Sequence, residues 1–193
     1  MCGRFFLDIN DREILNYYNI KDNSEGGGEK FPSHKAIVVK ENETTYMKWG
    51  FPFDNKLVIN ARGETVFEKR FFKKSIKSQR CLIPACHFYE WKDKMKYKIK
   101  MDNEKFFSMA GVYNKFIDKS GEEYYAFAIL TTEANREMSK IHHRMPVILR
   151  KKEEKIYLAN ETPEEVIREM LAPLEDNKLM IIEDKGIEQL SLF

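Results

Sequence analysis

Cysteine is scarce in this chain: Cys2, Cys81 and Cys86 are the three among 193 residues. Their odd number and irregular spacing exclude a disulfide framework and point to a reducing compartment. Cys81 and Cys86 lack a second pair to complete a metal site and read as small core residues. Long apolar runs are missing too, and no basic segment followed by an apolar stretch opens the chain, so neither a membrane span nor a secretory leader is expected. Charge of one sign is also lacking. Lys+Arg 33 against Asp+Glu 31 leaves a net charge of +2, so any affinity for a polyanion must come from a local patch. There are no internal repeats and no low-complexity linkers.

What is present suffices for one core. With 42% hydrophobic residues, the length predicts a single domain over residues 1–193. Asn10 and Glu13 form a capping pair for a short helix with Ile14, Leu15, Tyr17 and Tyr18 on its apolar face. The stretch from Asn23 to Glu29 contains Gly26, Gly27 and Gly28 and reads as a surface loop, since neither a P-loop Lys-Ser/Thr nor a dinucleotide fingerprint follows. Residues 36–39 and 44–49 read as paired strands. Residues 57–59 form a strand that delivers Asn60 and Arg62 at its end, and 64–78 have helical spacing, with Lys69, Arg70, Lys73, Lys74, Lys77 and Arg80 making that helix basic.

Strands are further expected at 80–84, 85–91, 97–101, 106–116 and 124–132, the last three as a meander. The alternating Lys92, Lys94, Lys96, Lys98 and Lys100 read as an outward, solubilising edge. A short helix is predicted at 134–141, ending at His142-His143-Arg144, then a strand at 146–149. Thr162-Pro163-Glu164-Glu165 opens a helix that runs to Leu171, and residues 179–182 form a last strand. The fold class is α+β: a curved, largely antiparallel sheet or open β-barrel with peripheral helices.

Two places carry chemistry. Met1 followed by the small Cys2 is the usual substrate of methionine aminopeptidase, and removal of Met1 would leave Cys2 with a free α-amine beside its thiol. A 1,2-aminothiol condenses with an aldehyde to an imine and closes a thiazolidine ring, while an unprocessed Cys2 would be an ordinary residue near a terminus. In the strand Phe88-Tyr89-Glu90-Trp91, period-2 alternation puts Phe88 and Glu90 on one face and Tyr89 and Trp91 on the other. A carboxyl set among aromatics is partly desolvated and suits acid/base work, although a salt-bridged glutamate has the same pattern.

Met1-Cys2-Gly3-Arg4, Asn60-Ala61-Arg62-Gly63-Glu64-Thr65, Phe88-Tyr89-Glu90-Trp91, and Thr131-Thr132-Glu133-Ala134-Asn135 leading into Ile141-His142-His143-Arg144-Met145-Pro146 occur in that order. Together they resemble the SRAP family, the SOS response-associated peptidases, over nearly the whole chain, weakening after Leu149. The resemblance implies a shield for abasic sites in single-stranded DNA that cross-links to them. It makes Cys2 the nucleophile, Asn60 its positioner, Glu90 the acid/base beside the imine, and His142 the group assisting ring opening and reversal. His142 is chosen over His143 by the spacing Ile-His-x-Arg-Met-Pro.

For DNA, Arg4, Arg62 and Arg144 are expected on phosphates and Trp49 and Trp91 against unpaired bases, with Pro32, Gly50 and Thr132 also along the strand. Stacking of this kind is worth ~1–3 kcal/mol per base and tolerates any sequence. No cofactor or metal is expected, and the protein is expected to be a monomer in the cytoplasm, at the nucleoid when bound to DNA. Two other classes remain open: a cysteine peptidase or amidase with an N-terminal nucleophile, including autocatalytic removal of Met1, and a noncatalytic single-strand binder.

Overall fold

The computed structural model describes residues 2–21 and 25–184. In chain order the elements are β1 (Phe5–Leu7), α1 (Arg12–Tyr17), β2 (Gly28–Lys30), β3 (Lys35–Val39), β4 (Thr44–Trp49), β5 (Phe51–Phe53), β6 (Lys56–Val58), β7 (Asn60–Arg62), α2 (Arg70–Ser78) and β8 (Arg80–Ala85). There follow β9 (His87–Lys92), β10 (Met95–Met101), β11 (Phe107–Ile117), β12 (Glu123–Glu133), β13 (Arg144–Pro146), β14 (Ile148–Leu149), α3 (Lys151–Leu158), α4 (Glu164–Met170) and β15 (Leu179–Glu183).

The architecture is α+β, and the barrel is closed rather than open. β12 pairs with β11 and, in parallel, with β4; β4 pairs with β3, β3 with β8, and β8 with β11, so five strands return on themselves. A second sheet runs in the order β15-β10-β9-β1-β2. Alternation sorts the barrel residues. Val38, Met47, Cys81, Ile83, Met109, Phe127 and Ile129 point to a core shared with Phe5, Phe88 and Ile99 of the second sheet. Leu82, Ala110, Val112, Ala126, Ala128 and Leu130 face the other way and are covered by Phe72 and Ile76 of α2, Tyr157 of α3 and Ile167 of α4.

Several local expectations are corrected. α1 is capped by Asp11, whose side chain accepts the Glu13 N–H at 2.8 Å, while the Asn10 N–H is spent on Asp8. Part of the glycine stretch is strand β2, paired with β1 through backbone groups that need no side chain; residues 22–24 lie outside the described residues. The helix expected from residue 64 is a single 3-10 turn, Gly63–Thr65, and α2 begins only at Arg70, because Val66 and Phe67 drop into the core between them.

Arg80 is no part of a basic helix face. It is buried, and its guanidinium donates to the carbonyls of Ile76, Lys77, Tyr157 and Ala159 at 2.6–2.8 Å, which satisfies the C-terminal ends of α2 and α3 together. The lysine-rich strand β10 is not an edge, since β9 and β15 flank it. Only Met138–Lys140 is helical between 134 and 141. α3 was not anticipated: its start at Arg150 is closed by Glu153, which accepts the Arg150 N–H at 2.9 Å. Thr162 does not cap α4; its hydroxyl donates to the Ile156 carbonyl at 2.6 Å and Pro163 takes the cap position.

Gly50 joins β4 to β5 with φ +114, and a Cβ there would lie 3.0 Å from Leu57 Cβ and 3.2 Å from Ile59 Cγ2. Both the backbone angle and the close packing require glycine. Gly50→Ala is expected to lower the unfolding free energy by roughly 1–3 kcal/mol in urea titration. An unchanged midpoint would show that the barrel relaxes around this junction.

Candidate active site

The site is assembled where β7 meets β12. β7 pairs in parallel with β12, Asn60 opposite Ile129 and Arg62 opposite Thr131, which fixes both side chains at the end of rigid strands. Asn60 Nδ2 donates to the Cys2 carbonyl at 3.0 Å. Asn60 Oδ1 is buried and has no hydrogen-bond partner among the described residues. Cys2 is fully buried in the same cluster as Phe5, Trp49, Met138 and Met145, and its thiol donates to the Arg4 carbonyl at 3.9 Å.

Glu90 enters from β9 and is 4% exposed, in line with the face assigned from alternation. Burial foremost, then the negative charge of Glu90, push the Cys2 thiol far above its ordinary range. At neutral pH the sulfur therefore keeps its proton.

His142 follows the Met138–Lys140 turn, its N–H donating to the Met138 carbonyl at 2.8 Å. That turn is held by buried Asn135, whose Oδ1 accepts the Met138 N–H at 3.0 Å and whose Nδ2 donates to the Leu174 carbonyl at 3.3 Å. The Arg144 N–H donates to His142 Nδ1 at 2.9 Å. The same Nδ1 lies 3.2 Å from the Arg144 carbonyl oxygen, so both backbone groups of Arg144 fix the orientation of the ring. His143 is exposed, stacks on His142 at 4.4 Å, and is shifted below the usual histidine range, mainly by the charge of His142.

The surface residues divide sharply. Arg4 lays its guanidinium over the rings of Phe31 (4.3 Å) and Trp91 (4.9 Å) and pairs with Glu29 at 3.4 Å. Trp91 is 39% exposed, Pro32 is half-buried beside Phe31, and Arg62 is exposed. These four share the accessible surface.

The other four expected DNA contacts are corrected. Trp49 is 0% exposed, its indole N–H donating to the Ile59 carbonyl at 3.0 Å and its ring packed against Phe5 and Phe127, so no base can reach it. Gly50 is buried, its N–H donating to the Phe127 carbonyl at 2.8 Å, and Thr132 is buried on β12. Arg144 is buried too, gripping Glu64 with two bonds of 2.6 and 2.8 Å and the Thr131 carbonyl at 2.7 Å. A guanidinium so engaged is a fastener between β13 and the turn after β7, not a free phosphate ligand. Neither this fastener nor the role of Asn135 was read from the sequence, though Glu64, Asn135 and Arg144 all stand inside the motifs. Among the described residues, no group of three or more His, Cys, Asp or Glu is placed to hold a metal ion, and no helix is long and apolar enough to cross a membrane.

The model of the family described as SOS response associated peptidase (SRAP) matches residues 1–184. This chain belongs to the SRAP family. It is 36% identical over 196 residues to the Bacillus subtilis abasic site processing protein YoqW, covering 90% of this chain and 87% of that protein. To the rat abasic site processing protein HMCES it is 30% identical over 121 residues, 47% of this chain and 34% of that one. A crystal structure of a Bacteroides thetaiotaomicron protein superposes with a TM-score of 0.85 at 26% identity, covering 94% of this chain and 91% of the other. Asn60 is thus bonded to the Cys2 carbonyl, Glu90 acts on the Cys2 thiol, and Met138, whose carbonyl accepts the His142 N–H, packs in the same core as Cys2.

Glu64 is held below the usual carboxylate range first by its bonds to Arg144. A depressed folded-state value means the pair stabilises above the ordinary glutamate value of ~4.3 and that this contribution is lost as pH falls through the lowered value. With Glu64 41% exposed, solvent screening limits the effect, so Glu64→Gln should cost about 1 kcal/mol at neutral pH. In thermal melts that deficit should vanish in acid. A deficit that persists undiminished there would show that the carboxylate charge is not what fastens β13.

Proposed function

We propose that this protein processes abasic sites in single-stranded DNA by forming a covalent thiazolidine through Cys2 once Met1 is removed, acting as a single-domain monomer without a cofactor. The observation that carries the reading is the meeting of Asn60, the Cys2 backbone and Glu90 at one buried thiol. The names of YoqW and HMCES, abasic site processing proteins, support the substrate.

The chemistry assigns each group a step. The Cys2 amine adds to the aldehyde carbon of the ring-opened sugar, and the carbinolamine loses water to give an imine. The thiol then adds to the imine carbon; a carbon–sulfur bond forms, and the sulfur proton passes to nitrogen. Glu90 is the relay for these transfers, since the thiol is protonated and needs a local acceptor as it attacks. Asn60 holds the Cys2 carbonyl so that amine and thiol present to one carbon. His142 assists opening of the sugar ring and reversal of the adduct. Arg4 and Arg62 bind phosphate and Trp91 supports an unpaired base.

An N-terminal amidase is the weaker reading. Amide attack requires an activated thiolate, and burial beside Glu90 drives the thiol in the opposite direction.

Denaturing electrophoresis with an abasic single strand, with and without borohydride, tests the proposal. The form starting at Cys2 should give a durable adduct, the form retaining Met1 none, and Cys2→Ser at most a borohydride-trapped imine. Glu90→Gln should slow the reaction by ~100-fold or more while leaving binding of an intact strand unchanged. His142→Ala should slow formation or reversal more than His143→Ala. If the Met1-retaining form, verified by mass spectrometry, cross-links as durably as the processed one, the thiazolidine mechanism is wrong here.

A further inference from the structure

Between β12 and β13 the chain makes an excursion over residues 135–142, closed at its base where the Ala134 N–H donates to the His143 carbonyl at 3.1 Å. Its regular structure is the single 3-10 turn Met138–Lys140, too short to keep its shape unaided. His142 stands at the end of this excursion. The Met138 carbonyl accepts both the Ile141 N–H at 2.9 Å and the His142 N–H at 2.8 Å. Whatever fixes Met138 therefore fixes the backbone that carries the ring.

Met138 is fixed from two sides. Its side chain is buried in the core that holds Cys2, and its N–H donates to Asn135 Oδ1 at 3.0 Å. Asn135 is buried and is itself held from outside the excursion: its N–H donates to Met145 Sδ at 3.4 Å and its Nδ2 to the Leu174 carbonyl at 3.3 Å. Two further bonds join the same segments. The Arg136 N–H donates to Asp176 Oδ1 at 3.0 Å, and the Asn177 N–H donates to Glu137 Oε1. Leu174 packs against the core, and Asn177 turns the chain with φ +63, a left-handed angle that asparagine tolerates. Just beyond, the Lys178 carbonyl accepts the Asp102 N–H at 2.9 Å, and β15 runs along β10, where Tyr97 stands opposite both Glu183 and Glu90. The stretch 174–183 is thus tied at one end to the excursion that carries His142 and at the other to the sheet that carries Glu90.

We infer that Asn135 is a positioning residue for His142 and that residues 174–177 are the clasp that completes it. This rests on the reading in which His142 assists opening of the sugar ring. In that step the bond from the anomeric carbon to the ring oxygen breaks, the hydroxyl on that carbon gives up its proton to become the aldehyde, and the ring oxygen takes a proton up. A side chain that moves these protons must stand within hydrogen-bond reach of them, and a displacement of about 1 Å costs on the order of 100-fold. The Asn135 amide supplies the reference. Its oxygen holds the turn and its nitrogen holds Leu174, so the turn is set against a segment outside the sequence motifs. Capture of an aldehyde that is already open needs the amine and thiol of Cys2 and makes no use of this arrangement. The clasp therefore acts on ring opening and leaves capture alone.

The test uses the full chain starting at Cys2 and two single strands, one with an abasic site and one with an aldehyde on an acyclic linker that has no ring to open. Asn135→Asp keeps an acceptor for the Met138 N–H and loses the donor to the Leu174 carbonyl. Asp176→Ala removes the exposed end of the clasp without touching the core, and Asp176→Asn keeps its acceptor. With the abasic strand, Asn135→Asp should slow adduct formation about tenfold and Asp176→Ala about threefold, while Asp176→Asn reacts as the parent does. With the acyclic aldehyde all should react at the parental rate. In a His142→Ala background, Asn135→Asp should slow the abasic reaction no further, as for residues that act through one another. Imidazole NMR gives a readout independent of the reaction: the His142 ring signals should shift in Asn135→Asp and Asp176→Ala, and those of His34 and His87 should not. The inference fails if the two slowdowns add, if the acyclic aldehyde is slowed equally, or if the His142 signals stay in place. Should they shift while His142→Ala itself reacts with both strands at the parental rate, the assignment of ring opening to His142 falls and the positioning by Asn135 stands.

Discussion

Hydrogen bonding along both edges of β12 is the constraint from which the rest of the structure follows. β11 and β4 flank its first half, β7 and β13 its second. Both of its faces are covered as well, one by the second sheet and the other by the helices, and Ala126 to Leu130 are buried without a break. The same pairing places Asn60 and Arg62 on one side of the strand end and Arg144 on the other. It is why the carbonyl of Thr131 is available to Arg144, and why motifs far apart in sequence converge within one wall of the barrel.

Around that wall the polar groups perform two separate tasks. Arg144, Glu64, Asn135 and Arg80 close backbone gaps where turns and helix ends would otherwise leave carbonyls or N–H groups unsatisfied. Cys2 and Glu90 are buried and Asn60 is half-buried, and the proposed cross-linking draws on these three. A thiol kept protonated beside a carboxyl is poor at attacking amides unaided but well suited to a reaction whose last step moves one proton from sulfur to nitrogen. Under the proposed function, fold stability and reactivity draw on the same motifs through different members.

The two faces of β9 show how one strand serves interior and surface at once. Glu90 points inward to the thiol, while Trp91, the next residue, points outward to Arg4. Strand alternation makes that division automatic. It also aligns β10, so that every second residue of a lysine-rich strand reaches the same face as the exposed indole.

By itself the sequence determined the periodic and the ordered: the long strands β11 and β12, the inward Glu90 and outward Trp91, the α+β class, and the family through four motifs in order. Those are local properties, set by alternation of side chains and by residue type. Tertiary structure alone decided which polar motif residues face solvent. Trp49 and Arg144 have the chemistry of DNA contacts, yet Trp49 spends its N–H on Ile59 and Arg144 its guanidinium on Glu64 and Thr131. Closure of the barrel and the interior position of β10 were likewise illegible, because strand pairing depends on backbone partners remote in sequence, and backbone hydrogen bonds leave no mark on the identity of the residues that make them.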